Sequence, residues 1–219
     1  MERSDIENHY RENRREIESR LESFESLKDS GEERKFKKLV FVILTTQTDA
    51  EKAWEATETL EKKNLLYKRK KKKISTILEA EGIQYAEEKS GYIVENRESL
   101  SQPTLADPER KLKISQKIDE SNLKQSREWF AENVKGMSWK GSSHFLRNIG
   151  YGDDFAIISG HIINVLHELG ILETLEPPSG KKEYLEIENK FQDLAENLET
   201  GAKELDLVLW SMRTGKIFK

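Results

Sequence analysis

The chain has no cysteine. That excludes a disulfide framework, a thiolate zinc site, an iron–sulfur cluster and a cysteine nucleophile, and it fits a reducing compartment. Also missing is any apolar run near the roughly 20 residues that a membrane helix needs. The first twenty residues, MERSDIENHYRENRREIESR, carry no apolar stretch of the kind that marks a secretory signal. The location expected is therefore cytoplasmic. There is no basic excess: net charge is −4 and the pI is about 5.8. A basic total would have pointed to nucleic acid, but local charge distribution matters more than the sum. No internal repeat is evident, and the one low-complexity stretch is a short lysine run.

What remains is a polar chain of 219 residues, 36% charged and 35% hydrophobic, with mean hydropathy −0.79. Its four Trp, eight Phe and six Tyr argue against disorder, and its length suffices for one domain or two small ones. In residues 1–30, Ile6, Tyr10, Ile17, Leu21, Phe24 and Leu27 form one narrow apolar stripe at helical spacing, ended by Gly31. The block FKKLVFVILTT (36–46) suits a buried helix or a buried strand on periodicity alone. The Glu- and Lys-rich flanks and the lack of a second strand favour helix. Thr48-Asp49 has the form of an N-cap for AEKAWEATETLEKK.

Residues 74–96 predict two helices around a turn at Glu81-Gly82, with Tyr85, Tyr92 and Ile93 inward. PTLADP (103–108) is the clearest linker-like turn. One or two short helices follow over 111–133, then a buried helix over 162–172, an amphipathic one over 184–198, and a last one in AKELDLVLWSMRTG. The fold class expected is all-α. The run Lys68–Lys73 reads first as a solvated face, and more sharply as a phosphate contact.

Residues 134–161, VKGMSWKGSSHFLRNIGYGDDFAIISGH, are the richest in chemistry. Lys135-Gly136 forms a tight turn between two helices, where glycine permits a positive φ and close backbone approach. Helix N-terminal amides after such a turn can hold a phosphate oxygen. Lys140 stands at the start of the second helix. Partial desolvation and the positive helix end push an amine toward its neutral, nucleophilic form. Spacing alone favours an ordinary surface lysine. His144 and His161 lack helical metal-ligand spacing and a completing carboxylate, so hydrogen bonding suits them better than a metal. Asp153 and Asp154 read as exposed loop acids.

The pattern helix-Lys-Gly-x-x-x-Lys-helix resembles a helix–hairpin–helix. KGSSHFLRNIGY…AII…HI resembles the archaeal type of 8-oxoguanine DNA glycosylase/AP lyase, as do ELDLVLWSMRTGKIFK, FVILTTQTDAEKA and YLEIEN, so the likeness covers most of the chain. It implies a two-lobed helix–hairpin–helix glycosylase fold, a single unit with one lobe at 35–105 and a hairpin-containing lobe of 1–34 with 106–219. It also implies Lys140 as the nucleophile that displaces the damaged base at C1′ and then supports β-elimination. Trp210 would stack the flipped base, with Asp206, Lys219 and Tyr85 completing the base pocket. Lys135, Gly136, Ser138, His144 and Arg147 would contact DNA. Gln47 resembles the wider superfamily's residue that fills the gap left in the duplex; without that, it is a polar residue in a capping turn. The partner implied is double-stranded DNA with a damaged or modified base, bound by a monomer associated with the nucleoid. No cofactor, metal or membrane is implied.

The departures fall in the chemical part. Ser159 occupies the position of the family's catalytic Asp, Gly160 that of an Arg, and Ser138 that of the second hairpin Gly; the loop before Ser159 is one residue longer. Loss of a preorganised charge of this kind is worth roughly 3–4 kcal/mol, or two to three decades in rate. The leading expectation is an 8-oxoguanine DNA glycosylase/AP lyase. The alternatives are a weakened or inactive relative that binds damaged bases, and an enzyme with a different purine substrate.

Overall fold

The computed structural model describes residues 1–68, 70–103, 110–152 and 154–218. Among them the regular structure is helical: α1 (Arg3–Glu25), α2 (Glu32–Leu44), α3 (Ala50–Lys62), α4 (Lys71–Ala80), α5 (Ala86–Ser99), α6 (Leu123–Asn133), α7 (Trp139–Asn148), α8 (Gly160–Glu168), α9 (Lys181–Asn197) and α10 (Ala202–Thr214), with a short 3-10 turn at Ser115–Lys117. The all-α expectation holds. The PTLADP linker lies almost wholly outside the described residues.

The chain forms two compact units, residues 29–145 and residues 1–28 with 146–219. The second boundary falls inside α7, whereas composition and resemblance put it near 105. No composition shift marks it, because α7 is one continuous helix.

In the 29–145 unit, α2 packs on α3 and α5, and α4 packs on α3 and α5. The block read as helix or strand is α2. Phe36 and the whole run from Leu39 to Leu44 are buried, so it is apolar on nearly every side, as a central helix must be. Asp49 caps α3 as its position predicts, accepting from the N–H of Glu51 (2.9 Å) and Lys52 (3.2 Å). Gly31 does not close α1. That helix ends at Glu25, and Gly31 is the N-cap of α2. Glycine serves at either end of a helix, so its position alone did not decide which.

In the other unit, α10 is the hub, packing on α1, α8 and α9. Its Leu205, Asp206, Leu207, Val208, Leu209 and Trp210 are all buried. Segment 155–158, Phe-Ala-Ile-Ile, is buried but not helical. Its backbone is satisfied from α9: the Ala156 N–H donates to Glu188 (3.0 Å), and the Tyr184 hydroxyl donates to the Ala156 carbonyl (2.7 Å). One turn further along, Gln192 donates to the Asp154 carbonyl at 2.5 Å. These residues recur every four positions on α9, so one helix face holds the whole segment.

Phe130 is fully buried, edge-on to Trp129 and to Phe145 at centroid distances of 5.2 and 5.0 Å. Replacing it with alanine removes the ring that joins α6 to α7. Phe130→Ala is expected to lower unfolding free energy by about 3–5 kcal/mol in urea titrations. A change below about 1 kcal/mol would show that the ring is not part of the core.

Candidate active site and nucleic-acid interface

The hairpin between α6 and α7 is held from two sides. Asn96 of α5 grips it by the backbone: its Nδ2 donates to the Lys135 carbonyl (2.9 Å) and its Oδ1 accepts from the Lys135 N–H (2.8 Å). Arg127 of α6, fully buried, stacks over Trp139 at 5.0 Å and donates to the Ser143 hydroxyl at 3.3 Å. Gly136 has φ +76, and a Cβ there would lie 2.5 Å from the Tyr92 ring. Glycine is required twice over, by conformation and by close approach. Lys135, Gly136 and Ser138 are exposed, as a contact surface requires.

Ser138 starts α7. Its hydroxyl accepts from the Gly141 N–H (3.1 Å) and its carbonyl from the Ser142 N–H (2.8 Å). The first turn of α7 has no acidic residue, so its positive end stays uncompensated. Lys140 lies in that turn, part-buried. Burial holds its amine below the ordinary lysine value, with no acidic group acting the other way. A lysine so placed releases its proton more readily and can act as a nucleophile.

Gln47, Tyr85 and Gly136 line one cavity of about 280 Å3 with Ile43, Lys89 and Tyr92. Gln47 (φ 52) and Tyr85 (φ 57) both adopt left-handed backbone, a strained choice for residues other than glycine. Tyr85 was expected to point inward, but it is 56% exposed. It is the N-cap of α5, at a turn whose conformation turns the ring outward. Lys89 holds the Gln47 turn. Its ammonium donates to the carbonyls of Leu44 (3.0 Å) and Thr46 (2.6 Å) and to the Thr48 hydroxyl (3.3 Å). Burial brings the Lys89 pKa down to about 8, with Glu88 working the other way.

His144 is buried, edge-on to Phe41 at 5.7 Å. In the 1–28 with 146–219 unit, Arg147 is buried as well. Its guanidinium donates to Asp206 (2.7 Å) and Asn148 (3.1 and 3.2 Å), and lies 4.9 Å from the Phe24 ring centroid. Neither side chain is presented to solvent, because each is engaged in the interior. Asp206 is itself fully buried on Arg147, one turn before Trp210, which keeps 9% of its surface open. Burial draws the Arg147 pKa down, and Asp206 opposes that. Ser159 is the N-cap of α8, its hydroxyl accepting from the Ile162 N–H at 3.4 Å. Asp154 is exposed; Asp153 and Lys219 lie outside the described residues. No metal-holding cluster of His and carboxylates occurs among the described residues.

Sequence reading missed Lys89, Asn96 and Arg127. A signal existed. Lys89, Ile93 and Asn96 share a helix face at i, i+4, i+7, as do Leu123, Arg127 and Phe130. A polar residue on an apolar stripe marks a buried hydrogen-bonding role.

A family model for 8-oxoguanine DNA glycosylase matches residues 17–200. The chain is 35% identical to an 8-oxoguanine DNA glycosylase/AP lyase of Fusobacterium nucleatum over 99% of this chain and 97% of the relative. It is 35% identical to one of Methanocaldococcus jannaschii, over 93% and 91%. Among solved structures, the M. jannaschii 8-oxoguanine glycosylase/lyase in complex with a 15mer DNA containing 8-oxoguanine superposes with TM-score 0.84 at 30% identity, covering 98% of this chain and 99% of that one. The 8-oxoguanine DNA glycosylase of Thermotoga maritima gives 0.85 at 31%, covering 99% and 98%.

Two outcomes follow from the site geometry. Gly136→Ala forces a left-handed alanine into the Tyr92 ring and is expected to cost about 1–2 kcal/mol or more in chemical unfolding; no loss would mean the turn is free to move. For Lys89, the folded chain releases the proton near pH 8, while the unfolded chain holds it up to the ordinary lysine value of 10.5. The unfolded state binds more protons between those values, so stability rises with pH across that window. Relative to Lys89→Met, the parent is expected to gain stability between pH 7.5 and 10 in urea titrations. A parallel pH dependence of the two proteins would count against this placement.

Proposed function

The chain belongs to the 8-oxoguanine DNA glycosylase family, and on that footing we propose that it removes 8-oxoguanine from duplex DNA and cleaves the strand at the resulting abasic site. The amine of Lys140 attacks C1′, the base departs with the glycosidic electron pair, and the covalent imine that forms supports β-elimination of the 3′-phosphate. By likeness to the family, Trp210 stacks the extruded base, Lys219 and Tyr85 contact it, and Gln47 fills the gap it leaves in the duplex. Asp206 acts through Arg147, to which it is bound. The hairpin amides around Gly136 and the N-terminus of α7 hold a backbone phosphate. The protein works as a monomer where the chromosome lies, in the cytoplasm. The observation that carries this reading is Lys140 itself: part-buried in the first turn of α7, with its amine held below the ordinary lysine value.

A second reading rests on Ser159. A serine engaged as a helix cap supplies no negative charge to the cationic sugar that develops as the base leaves. Attack on a pre-formed abasic site needs less help, because its open-chain aldehyde is already electrophilic. On this reading strand cleavage at abasic sites outpaces base excision.

Borohydride trapping on duplexes bearing 8-oxoguanine or an abasic site tests both. The parent is expected to form a covalent adduct with each, faster with the abasic duplex, and Lys140→Gln none. Trapping should speed up as pH rises and level off below the ordinary lysine value. Ser159→Asp is expected to raise excision of 8-oxoguanine by two to three decades, the roughly 3–4 kcal/mol of such a charge, with less than tenfold change on the abasic duplex. Persistence of the adduct in Lys140→Gln would remove that residue from the chemistry. Absence of any adduct with the parent at high protein would overturn the enzyme.

A further inference from the structure

The lysine run after α3 takes no part in the site described above. We propose that it forms a second contact for duplex DNA, a groove for backbone phosphates that adds sequence-independent affinity; this rests on reading the chain as a DNA enzyme. Lys63, Lys68, Lys70, Lys72 and Lys73 line one groove of about 570 Å3 with Thr76, and no acidic residue lines it. In a chain of net charge −4 with 41 acidic residues, five lysines converging without an acid stand apart from the pairing found elsewhere. Lys37 is bound to Glu58 and Glu61, and Lys71, within the run, to Glu87. None of the five groove lysines has a side-chain hydrogen bond or ion pair among the described residues. The helix that follows adds charge of the same sign: α4 has no acid in its first turn and Lys70 supplies no side-chain cap. Such a groove repels itself until a polyanion fills it.

Two features favour duplex DNA over a membrane surface. The apolar members of the groove do not protrude: Leu65 is buried and Ile77 part-buried, so nothing is available to insert between lipids. The groove is also tied to the hairpin through α5. Lys71 bonds Glu87 and reaches within 3.5 Å of a Cβ position at Gly91, while Asn96 of the same helix grips Lys135. Nine residues of helix separate Glu87 from Asn96, about 13–14 Å at 1.5 Å per residue. That is less than half a turn of duplex, which rises roughly 34 Å. The two anchor points on α5 therefore lie within the span of one turn of duplex. Each phosphate neutralised there releases condensed counterions and steepens the salt dependence of binding.

The test is binding of intact and 8-oxoguanine duplexes by fluorescence anisotropy between 50 and 200 mM salt. It compares the parent, the variant Lys68→Gln/Lys70→Gln/Lys72→Gln/Lys73→Gln, its Lys→Arg counterpart, and the single variants Lys68→Gln and Lys72→Gln. Thermal unfolding serves as the control for folding. Each phosphate left without its lysine is expected to make the log–log slope shallower by roughly 0.9, so the slope of the quadruple Gln variant should fall by about two or more. Its affinity should drop at least tenfold, equally for both duplexes, while the Arg variant keeps the parental slope. Borohydride trapping at saturating protein should match the parent. A parental slope in the Gln variants, single ones included, overturns the groove. So does a loss confined to the lesion duplex, or loss of binding to phosphatidylserine vesicles with the DNA slope intact. Failure of the enzymatic reading is a separate result: no covalent adduct from a parent whose duplex binding is still salt-dependent and still weakened by the Gln variants.

Discussion

A buried backbone group must find a partner, and an all-helical chain meets that demand within its helices until it leaves them. Every irregular segment near the site is therefore held by a polar side chain from a neighbouring helix. Asn96 satisfies both backbone groups of Lys135 in the hairpin. Lys89 satisfies the carbonyls that α2 leaves open at Leu44 and Thr46. Glu32 accepts from the N–H groups of Ile114 and Ser115 before α6. Tyr184 and Glu188 satisfy the extended stretch at Ala156. These residues hold the irregular points of the fold, among them the turn of Gln47, the hairpin of Gly136 and the segment that leads to Ser159.

The Arg147–Asp206 pair follows a harsher version of the same rule. Both side chains are buried, and each ion would cost several kcal/mol to bury alone. Removing either partner leaves an uncompensated charge, worth roughly 3–5 kcal/mol, so the two form a single structural unit. Asn148 and the Phe24 ring complete the guanidinium's surroundings. Asp206 precedes Trp210 by one helical turn, so the pair fixes the stretch of α10 from which the indole projects.

What could be read in the sequence was whatever repeats locally. The apolar run that became α2, the cap at Asp49 and the hub helix α10 all follow from spacing within ten or so residues. Contacts that join distant positions could not be read. Ala156 and Glu188 are 32 residues apart, and nothing in FAII says that an α9 carboxylate will complete its backbone. Arg147 and His144 were expected from the family likeness to contact DNA; only the packed chain shows Asp206 beside the one and Phe41 beside the other. Tyr85 went wrong for a related reason. An aromatic is usually buried, but a left-handed N-cap turned this one outward. Lys140 stood out in the sequence through family likeness, whereas the extent of its burial in the first turn of α7 is a property of the fold.

Ser138 and Ser159 have the same task in the structure. Each hydroxyl accepts an N–H of the helix it begins, α7 for Ser138 and α8 for Ser159. Serine and aspartate are nearly equal as N-caps. Exchange between them at 159 is close to neutral for the start of α8, while it changes the local charge by one. Electrostatic stabilisation of a developing cation depends on that charge and hardly on the cap. The charge at this position can therefore change while the start of α8, and with it the fold, is left almost untouched.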